Sequence, residues 1–424
     1  MAFTYARAAR PVSSSRSAVL PLLFAALAFV APDDRLPSRE PAAVGMSAER
    51  LATIDRVVTK GIKGGGFPGA AVVVGRGGFS ILQKGFGRIG WTTTSSAVSP
   101  AETVYDVASL TKVVGVTTAA MILFDEGKLD LDAPVQRYLP EFRGARKDAV
   151  TMRHLLTHHS GLPAGRLLWR DASTPAQARK VVLETPLACA PGKCFVYSDL
   201  GAITMGLAIE RISGEKLDVF LERRVFAPLK MADTRFKPPA SWKKRIAPTA
   251  DVSRRGYEIR GEVHDDNAHV LGGVVGHAGL FSSAADLAVF AQMMLNKGEI
   301  NGTRIVAEST VVLFTKRQAG PRALGWEMAE KVRGAGDYFS ESAYGHTGFT
   351  GTSIWIDPER ELFVVLLTNR VYAPRARRPS EVISNVRNDL ADAAALSITD
   401  DPTFPRLEMP AAFRADTAKS WNRR

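Results

Sequence analysis

A serine and a lysine stand three positions apart at the start of a long apolar segment. Ser109 precedes a run of mostly apolar residues that extends to Phe124, and Lys112 follows the serine at i+3. This pattern predicts a helix whose first turn places the hydroxyl and the amine on one face, beside free backbone N–H groups. A serine hydroxyl attacks a carbonyl when a base removes its proton, and a lysine can be that base where burial lowers its pKa. The pair therefore indicates nucleophilic catalysis.

The Ser-x-x-Lys spacing is weak by itself, because two further copies begin at Ser213 and Ser241 among charged residues. On its own, Ser109 could equally be an ordinary helix cap. Two later segments favour a catalytic role for Ser109 over a helix cap. The segment Tyr197–Asp199 lies just before another predicted helix, and His346–Gly348 lies just before a predicted pair of strands.

Apolar periodicity and turn residues predict the elements that must position these groups. Helices are predicted after Ser47 and over 109–124, 151–157, 200–212, 283–297 and 379–396, and strands over 70–75, 79–86, 352–356 and 362–368. Both chain ends supply strands and a helix, whereas the middle supplies mostly helices. The sequence therefore predicts an α+β fold: an antiparallel sheet built from both chain ends and flanked by helices, with a mostly helical insertion over roughly residues 115–275. A site is expected in the cleft at their junction.

The chain ends are predicted to lie outside this domain. Residues 1–31 carry three arginines, no acidic residue and a short apolar run, which is typical of a secretory signal peptide. An uncleaved membrane anchor is the alternative. Residues 32–45 are predicted to be a linker, 46–398 the catalytic domain and 399–424 a loose polar tail. The leader predicts a periplasmic or secreted protein.

The net charge of +12 is spread along the chain and accompanies no nucleic-acid-binding motif, so nucleic acid is not an expected partner. An anionic wall polymer or membrane surface would suit this charge, but an arginine-rich proteome explains it more simply. The two cysteines, Cys189 and Cys194, flank a turn-like Ala-Pro-Gly-Lys stretch. In an oxidising compartment they are expected to form a short-loop disulfide, with two free thiols as the alternative.

Six histidines fall into two groups, one at a predicted helix end and one around a glycine-rich segment: His154, His158 and His159, and His264, His269 and His277. The first group lacks the glutamate of a zinc-protease motif, so packing and helix-end hydrogen bonds are expected. The glycine-rich segment lacks the Lys-Ser/Thr pair of a phosphate loop. The dipeptide His264-Asp265 could touch the substrate or hydrogen-bond within its own loop. No metal or organic cofactor is expected.

In this order, the Ser-x-x-Lys, Tyr-x-Asp and His-Thr-Gly elements resemble the signature of serine β-lactamases and penicillin-binding proteins. The tyrosine in the second element is similar to that of class C β-lactamases, DD-peptidases and related esterases. Further segments with the same likeness cover residues 125–131, 155–162, 276–282 and 346–370. The resemblance covers roughly residues 46–395 and implies the β-lactamase/transpeptidase fold.

The resemblance also implies roles for individual residues. Ser109 would attack a carbonyl and form an acyl-enzyme, which water then hydrolyses. Lys112 and Tyr197 would share the proton transfers, and the choice of base between them stays open. The backbone N–H groups of Ser109 and Phe349 would form an oxyanion hole, and donors of that kind contribute about 3 kcal/mol each in the transition state.

Two positions depart from the family's pattern. Asp199 stands where many relatives have asparagine, so it either adds a negative charge near Lys112 or caps the next helix. His346 replaces the lysine that precedes Thr347 and Gly348. A neutral histidine would hold a substrate carboxylate less firmly than lysine, while still donating a hydrogen bond. These departures weaken the case for an efficient β-lactamase or DD-carboxypeptidase.

The sequence therefore predicts a serine hydrolase that cleaves esters or amides, as a carboxylesterase or a D-amino-acid peptidase does. Its substrate would be a small molecule or a peptide, for example one derived from the cell wall. The alternatives are a β-lactamase and a catalytically weak module that binds cell-wall peptides. A conventional α/β-hydrolase is excluded, because the chain has no Gly-x-Ser-x-Gly pentapeptide.

Overall fold

The structure, a computed structural model, describes residues 1–4, 36–330, 334–400 and 408–417. The predicted signal peptide thus lies outside the described residues except at its first four positions. Over the ranges that are described, none of the helices combines the length and the apolar character needed to cross a membrane.

A six-stranded antiparallel sheet forms the centre of the domain, in the order β2-β1-β11-β10-β9-β8. Its strands are β1 Gly69–Arg76, β2 Phe79–Gly87, β8 Glu327–Met328, β9 Tyr344–Thr347, β10 Ser353–Asp357 and β11 Leu362–Thr368. The N-terminal hairpin joins the C-terminal strands through β1 and β11, which pair from Ala70 opposite Thr368 to Arg76 opposite Leu362. The prediction of one antiparallel sheet built from both chain ends is confirmed.

Helices cover both faces of this sheet, which explains why β1 and β11 are apolar at nearly every position. On one face Val72 and Val364 belong to a core with helices from both chain ends, and on the other Val73 and Val365 belong to the larger core of the helical region. A strand buried on both faces has no solvent side, so its sequence does not alternate between apolar and polar residues.

The helices and the minor strands complete the fold. The α-helices are α1 Ala48–Leu51, α2 Thr53–Lys63, α3 Thr118–Asp125, α4 Met152–Leu156, α5 Leu168–Asp171, α6 Pro175–Glu184, α7 Asp199–Ser213, α8 Leu217–Leu221, α9 Asp266–Val270, α10 Ala284–Leu295, α11 Glu308–Thr315, α12 Pro379–Ala395 and α13 Arg414–Thr417. A small sheet has the order β3-β5-β4, from Tyr105–Asp106, Leu280–Ser282 and Arg235–Phe236, and a hairpin pairs β6 Glu299–Ile300 with β7 Thr303–Arg304.

The helix predicted to start at Ser109 begins differently. Residues Thr111–Thr117 form a π-helix that leads into α3, so the serine lies in the turn before the helix. The Thr118 hydroxyl donates to the carbonyl of Val113, five residues back, at 3.0 Å and stabilises this wider winding. Single π-helical turns of this kind are frequent at functional sites.

The predicted loose tail is wrong for residues 408–417, which pack against the domain. Phe413 is buried, and the Arg414 guanidinium bonds to the carboxylates of Asp337, Asp389 and Asp392. Two of these carboxylates are buried in α12, so they need a cation, and the arginine comes from the tail. The predicted linker is also ordered where it is described, since the Arg39 N–H donates to the Ser80 carbonyl at 3.0 Å.

Candidate active site

Ser109 lies in a tight turn between β3 and the π-helix. Ala108, directly before it, has a φ of 48°, a left-handed conformation that is uncommon for residues other than glycine. The Asp106 carboxylate accepts from the Ala108 N–H at 2.8 Å, and the Lys112 N–H donates to the Ser109 carbonyl at 3.0 Å. These bonds fix the backbone that carries the serine hydroxyl.

Lys112 is buried, with 3% of its surface exposed, and its amine is surrounded by oxygen atoms. Its Nζ lies 3.0 Å from Ser109 Oγ, 2.8 Å from Asp199 Oδ1 and 3.1 Å from the carbonyl oxygen of His277. Burial alone would lower the pKa of Lys112, but the Asp199 carboxylate and the Tyr197 hydroxyl outweigh it and raise that pKa above its ordinary value. The amine is therefore an ammonium at neutral pH. The sequence left the base open between Lys112 and Tyr197, and the raised pKa of Lys112 favours Tyr197.

Tyr197 reaches the same amine from a distant loop. The Lys112 Nζ lies 4.9 Å from the centre of the tyrosine ring, and Tyr197 helps to raise the pKa of Lys112. The loop is held along residues 158–161: the Val196 N–H donates to the His158 carbonyl at 3.0 Å, and the His158 ring lies 4.6 Å from the Tyr197 ring. The predicted disulfide between Cys189 and Cys194 is present at the base of this loop.

Asp199 is the first residue of α7 and not its cap. The cap is Ser198, whose hydroxyl oxygen accepts from the Gly201 N–H at 3.2 Å. Of the two sequence-based alternatives for Asp199, a charge beside Lys112 is therefore the one that the structure supports. The Asp199 side chain is one-third exposed and the Lys112 side chain is buried, so the ion pair lies at the floor of an open cavity.

The segment His346–Phe349 lies at the end of β9 and faces the same cavity. The buried His346 ring donates from Nδ1 to the Thr347 carbonyl at 2.8 Å, and its Nε2 has no hydrogen-bond partner among the residues that the structure describes. Burial, Arg322 and Lys112 hold the pKa of His346 well below 6.5, so the ring is neutral. Because Nδ1 carries the proton, the free Nε2 is an acceptor. The expectation that His346 would donate a hydrogen bond to the substrate is wrong.

Two backbone N–H groups at the cavity have no protein acceptor. Within the described part of the chain, neither the Ser109 N–H nor the Phe349 N–H donates a hydrogen bond, although the N–H groups of Gly348 and Gly351 do. Unpaired backbone donors that face a cavity are available to a ligand oxygen. The Phe349 ring is 61% exposed and contacts His264 and Arg370.

A hydrogen-bonded histidine and aspartate stabilise the cavity wall next to Lys112. His277 Nε2 lies 3.0 Å from Asp265 Oδ1, while the His277 carbonyl accepts from Lys112. Burial alone would raise the pKa of Asp265, but His277 and the Ala268 N–H hold it below its usual range. The sequence left two roles open for His264-Asp265, and the hydrogen bond to His277 supports the loop-stabilising one. Burial raises the pKa of Asp106, nearby in the same wall, to about 6.

Two arginines that the sequence analysis missed also line this cavity. Arg322 is buried, with its guanidinium 5.4 Å from the centre of the Tyr197 ring. Arg387 on α12 donates from Nη2 to the carbonyls of Gly348 and Thr352, each at 2.7 Å. Burial, together with Arg370, lowers the pKa of Arg387 to about 9. Within the described residues Arg387 forms no direct ion pair, although the Glu327 carboxylate in the same cavity lining partly offsets the lowering of its pKa. No sequence pattern marks Arg322 and Arg387 among the many arginines of the chain, so only the fold identifies them as residues of the cavity.

Most of these groups line one cavity of about 760 Å³ between the sheet edge and the helical region. Its lining includes Ser109, Tyr197, Asp199, Trp169, His264, Asp265, His277, Arg322, His346, Thr347, Phe349 and Arg387. The structure thus brings together the residues that the sequence predicted. Two of the histidines near α4 have local bonds instead: His154 completes the capping box with Thr151, and His159 Nδ1 contacts the Thr157 carbonyl. His158 supports the Tyr197 loop, because its Nδ1 accepts from the Ser198 N–H at 3.0 Å. Among the residues described, no cluster of three or more His, Cys, Asp or Glu could hold a metal.

Known proteins resemble this chain in sequence and in fold. The family described as Beta-lactamase matches residues 54–386. An N-acetylmuramyl-L-alanine amidase from Bacillus subtilis (strain 168) is 34% identical over 369 residues, which cover 77% of this chain and 82% of the amidase. The resemblance inferred from the ordered motifs is confirmed.

Two solved structures share the fold at low sequence identity. EstCE1, a hydrolase with promiscuous acyltransferase activity, aligns with a TM-score of 0.66 and 22% identity over 82% of this chain and 99% of its own. A class C β-lactamase aligns with a TM-score of 0.64 and 19% identity over 80% of this chain and 96% of its own. The predicted β-lactamase/transpeptidase fold is confirmed.

Proposed function

The chain belongs to the β-lactamase family of serine hydrolases, and from that premise we propose that it hydrolyses amide bonds through an acyl-enzyme on Ser109. One observation carries this proposal: the Ser109 hydroxyl lies 3.0 Å from the Lys112 amine, which in turn lies 4.9 Å from the centre of the Tyr197 ring. A binding protein that does not turn over its ligand has no use for a serine, an ammonium and a phenol arranged in this way.

Tyr197 is the base in this proposal, and Lys112 is the cation that supports it. An ammonium has no lone pair, so the Lys112 amine, held protonated by Asp199, cannot take the serine proton. A phenolate at Tyr197, stabilised by that ammonium, can accept it. The proton then passes from Tyr197 to the nitrogen of the leaving amine as the carbon–nitrogen bond breaks. Water then attacks the acyl carbon and gives its proton to Tyr197. Tyr197 returns a proton to the Ser109 oxygen as the ester bond breaks, and the acid is released.

The oxyanion would be bound by the two unpaired N–H groups of Ser109 and Phe349. As the serine oxygen adds to the carbonyl carbon, the carbonyl oxygen gains negative charge that two fixed donors can stabilise. The Thr350 hydroxyl donates to the Asp106 carbonyl at 2.7 Å, and the Thr352 hydroxyl donates to the Val107 carbonyl at 3.0 Å. These bonds join the loop of Phe349 to the segment that precedes Ser109. They therefore fix the positions of the Ser109 and Phe349 N–H groups relative to each other.

We further propose that the substrate is a cell-wall-derived amide that carries a carboxylate. A relative of similar length is named for the N-acetylmuramyl-L-alanine bond, which joins a sugar acid to an amino acid. Arg387 supports this class of substrate, because a half-buried guanidinium that lines the cavity and forms no direct ion pair within the described residues suits a ligand anion. The cavity, at about 760 Å³, has the size of a typical small-molecule site.

Three observations would test the hydrolase proposal. A fluorophosphonate probe should add covalently to Ser109, as located by mass spectrometry, and Ser109→Ala should abolish both the adduct and turnover. N-acetylmuramyl-L-alanine, a D-Ala-D-Ala peptide, a p-nitrophenyl ester and nitrocefin should be compared as substrates. We expect the first to have the highest kcat/KM. A preference for nitrocefin would instead support the β-lactamase alternative, and the absence of any adduct would support the binding module.

Export remains a proposal as well. The disulfide between Cys189 and Cys194 supports it, because such bonds persist mainly in oxidising compartments. Cell fractionation should place the protein outside the cytoplasm, and recovery in the cytoplasm with both thiols free would contradict this.

A further inference from the structure

We propose that Trp169 and the polar residues beside it form a saccharide-binding subsite. It would take the sugar of an amide-linked amino-sugar substrate, so this inference rests on the function proposed above. The mechanism does not use Trp169, yet the residue lines the same cavity as Ser109.

Trp169 stands where two depressions of the surface meet. One is the catalytic cavity, and the other is a neighbouring depression of about 690 Å³ between α5 and α6. Trp169 contributes to the walls of both. A substrate that extends beyond the catalytic cavity on this side would therefore pass Trp169.

The indole is held in place by its neighbours. Asn267 accepts from the Leu168 N–H through Oδ1 and donates to the Arg166 carbonyl through Nδ2, each at 2.8 Å. These bonds clamp the backbone just before Trp169. The Arg254 guanidinium lies 3.9 Å from the indole, and Arg254 is itself paired with Asp266 at 3.3 Å. A ring fixed in this way loses little conformational entropy when a ligand packs against it.

The chemistry around the indole fits a sugar. A pyranose has one face of C–H groups, which packs on an aromatic ring, and a rim of hydroxyls that needs hydrogen-bond partners. Polar residues line both depressions together with Trp169: Asp265, Asp266 and Asn267 in the catalytic cavity, and Asp171, Ser173, Gln177 and Lys180 in the other. Carboxylates, amides and a hydroxyl can accept from or donate to such a rim.

A peptide fits this side of the cavity less well. The walls of the subsite are the helices α5, α6 and α9, and none of the described residues that line the second depression belongs to a strand. An extended peptide usually binds by adding a strand to a sheet edge, where backbone N–H and C=O groups are free. In this cavity the strand neighbour is β9, on the side of His346 and Arg387. The leaving amino acid would therefore lie along β9, and the sugar would lie against Trp169.

Matched substrates and matched variants test the subsite. N-acetylmuramyl-L-alanine and N-lactyl-L-alanine contain the same scissile amide, with and without the sugar, and release of L-alanine can be followed for both. We expect Trp169→Ala to raise KM for the sugar substrate by about 10- to 100-fold, the loss that follows when a ligand gives up one large aromatic contact. KM for N-lactyl-L-alanine and both kcat values should stay within about threefold. Trp242→Ala is the control, because Trp242 is half-buried and stacked on Arg245 at 4.0 Å but lies outside the cavity.

Binding to the inactive protein makes the subsite testable without catalysis. Ser109→Ala, titrated calorimetrically with N-acetylmuramic acid, should bind it, and adding Trp169→Ala should weaken this binding about 10-fold or more. Equal losses on both substrates, unchanged sugar affinity, or a larger effect on a sugar-free L-alanyl peptide would overturn the subsite. Failure of the proposed function is distinguishable, because it would appear in the wild-type protein as no Ser109 adduct and no cleavage of either substrate.

Discussion

Replacing Lys112 by methionine or by arginine separates the two roles that a lysine can have at this site. Methionine removes the charge at nearly constant volume, whereas arginine keeps the charge and cannot lose its proton. The Lys112 Nζ lies 4.9 Å from the centre of the Tyr197 ring. With the ring centre taken as the position of the phenolate charge and an effective dielectric of about 20, the two charges attract by about 3.4 kcal/mol, which corresponds to about 300-fold in rate.

We therefore expect Lys112→Met to lower kcat/KM by about 10²- to 10³-fold, and Lys112→Arg to recover at least about tenfold of that loss. The assay is the second-order rate of Ser109 labelling by a fluorophosphonate, together with kcat/KM for a p-nitrophenyl ester. Both are measured at the pH optimum of each variant. Thermal unfolding of the two variants provides the control, because methionine leaves the Asp199 carboxylate without its cation.

One result would refute the reasoning about charge. If both variants fold and Lys112→Arg is as inactive as Lys112→Met, the site needs a neutral amine. Lys112 would then be the base, in spite of the Asp199 carboxylate 2.8 Å away. Tyr197→Phe should cost about 10²- to 10⁴-fold if the phenol transfers the proton, and an unchanged rate in that variant would point to the same conclusion.

Three further outcomes are expected. Arg387→Ala should raise KM about 10-fold or more for substrates with a free carboxylate, but not for their amidated forms. Equal effects on both would mean that Arg387 acts only through its hydrogen bond to the Gly348 carbonyl. Replacing Cys189 and Cys194 together by serine should lower the free energy of unfolding by about 2 kcal/mol. It should also reduce kcat, because the disulfide lies in the loop of Tyr197; a kcat equal to that of the wild type would exclude this effect on catalysis. Arg414→Ala should destabilise the fold by about 3 kcal/mol with kcat unchanged, and more at pH 8 than at pH 5, as urea unfolding at both pH values would show. The sign follows because burial already raises the pKa of Asp389 and Asp392, so without their cation these carboxylates gain most from protonation at low pH; an equal loss at both pH values would contradict it.

Local sequence patterns predicted the frame of the fold and the three central residues. The apolar runs of β1 and β11 and the helix after Ser283 are strong local signals, and the order of the motifs was enough to join Ser109 to Tyr197. The apolar pattern after Ser109 did not predict the π-helix that begins at Thr111. This winding is stabilised by the bond from the Thr118 hydroxyl to the Val113 carbonyl, and a sequence does not show which carbonyl a threonine hydroxyl binds. Nor did local patterns predict the packed tail, whose arginine binds carboxylates on a helix that precedes it in the sequence.

Protonation states were the least predictable part of the site. Burial around Lys112 was foreseen, but its effect was not, because Asp199 contributes an opposing charge whose position depends on the cap of α7. The donor and acceptor ends of His346 likewise depend on one bond to the Thr347 carbonyl. Residue types are visible in a sequence, whereas the balance between desolvation and neighbouring charge requires distances.

The charges of the cavity explain how histidine can replace lysine before Thr347. A lysine at position 346 would place another buried cation among Arg322 and Lys112, the two charges that already disfavour protonation of His346. Asp199 pairs with Lys112, whereas Arg387 reaches the same loop from α12 and bonds to the Gly348 carbonyl without a carboxylate of its own. In the proposed function, the positive charge that would bind a substrate carboxylate is therefore on α12, at Arg387, and not on β9. The neutral ring then leaves an acceptor, Nε2, where the family's lysine has a donor, so a substrate hydroxyl or amide N–H can bind there.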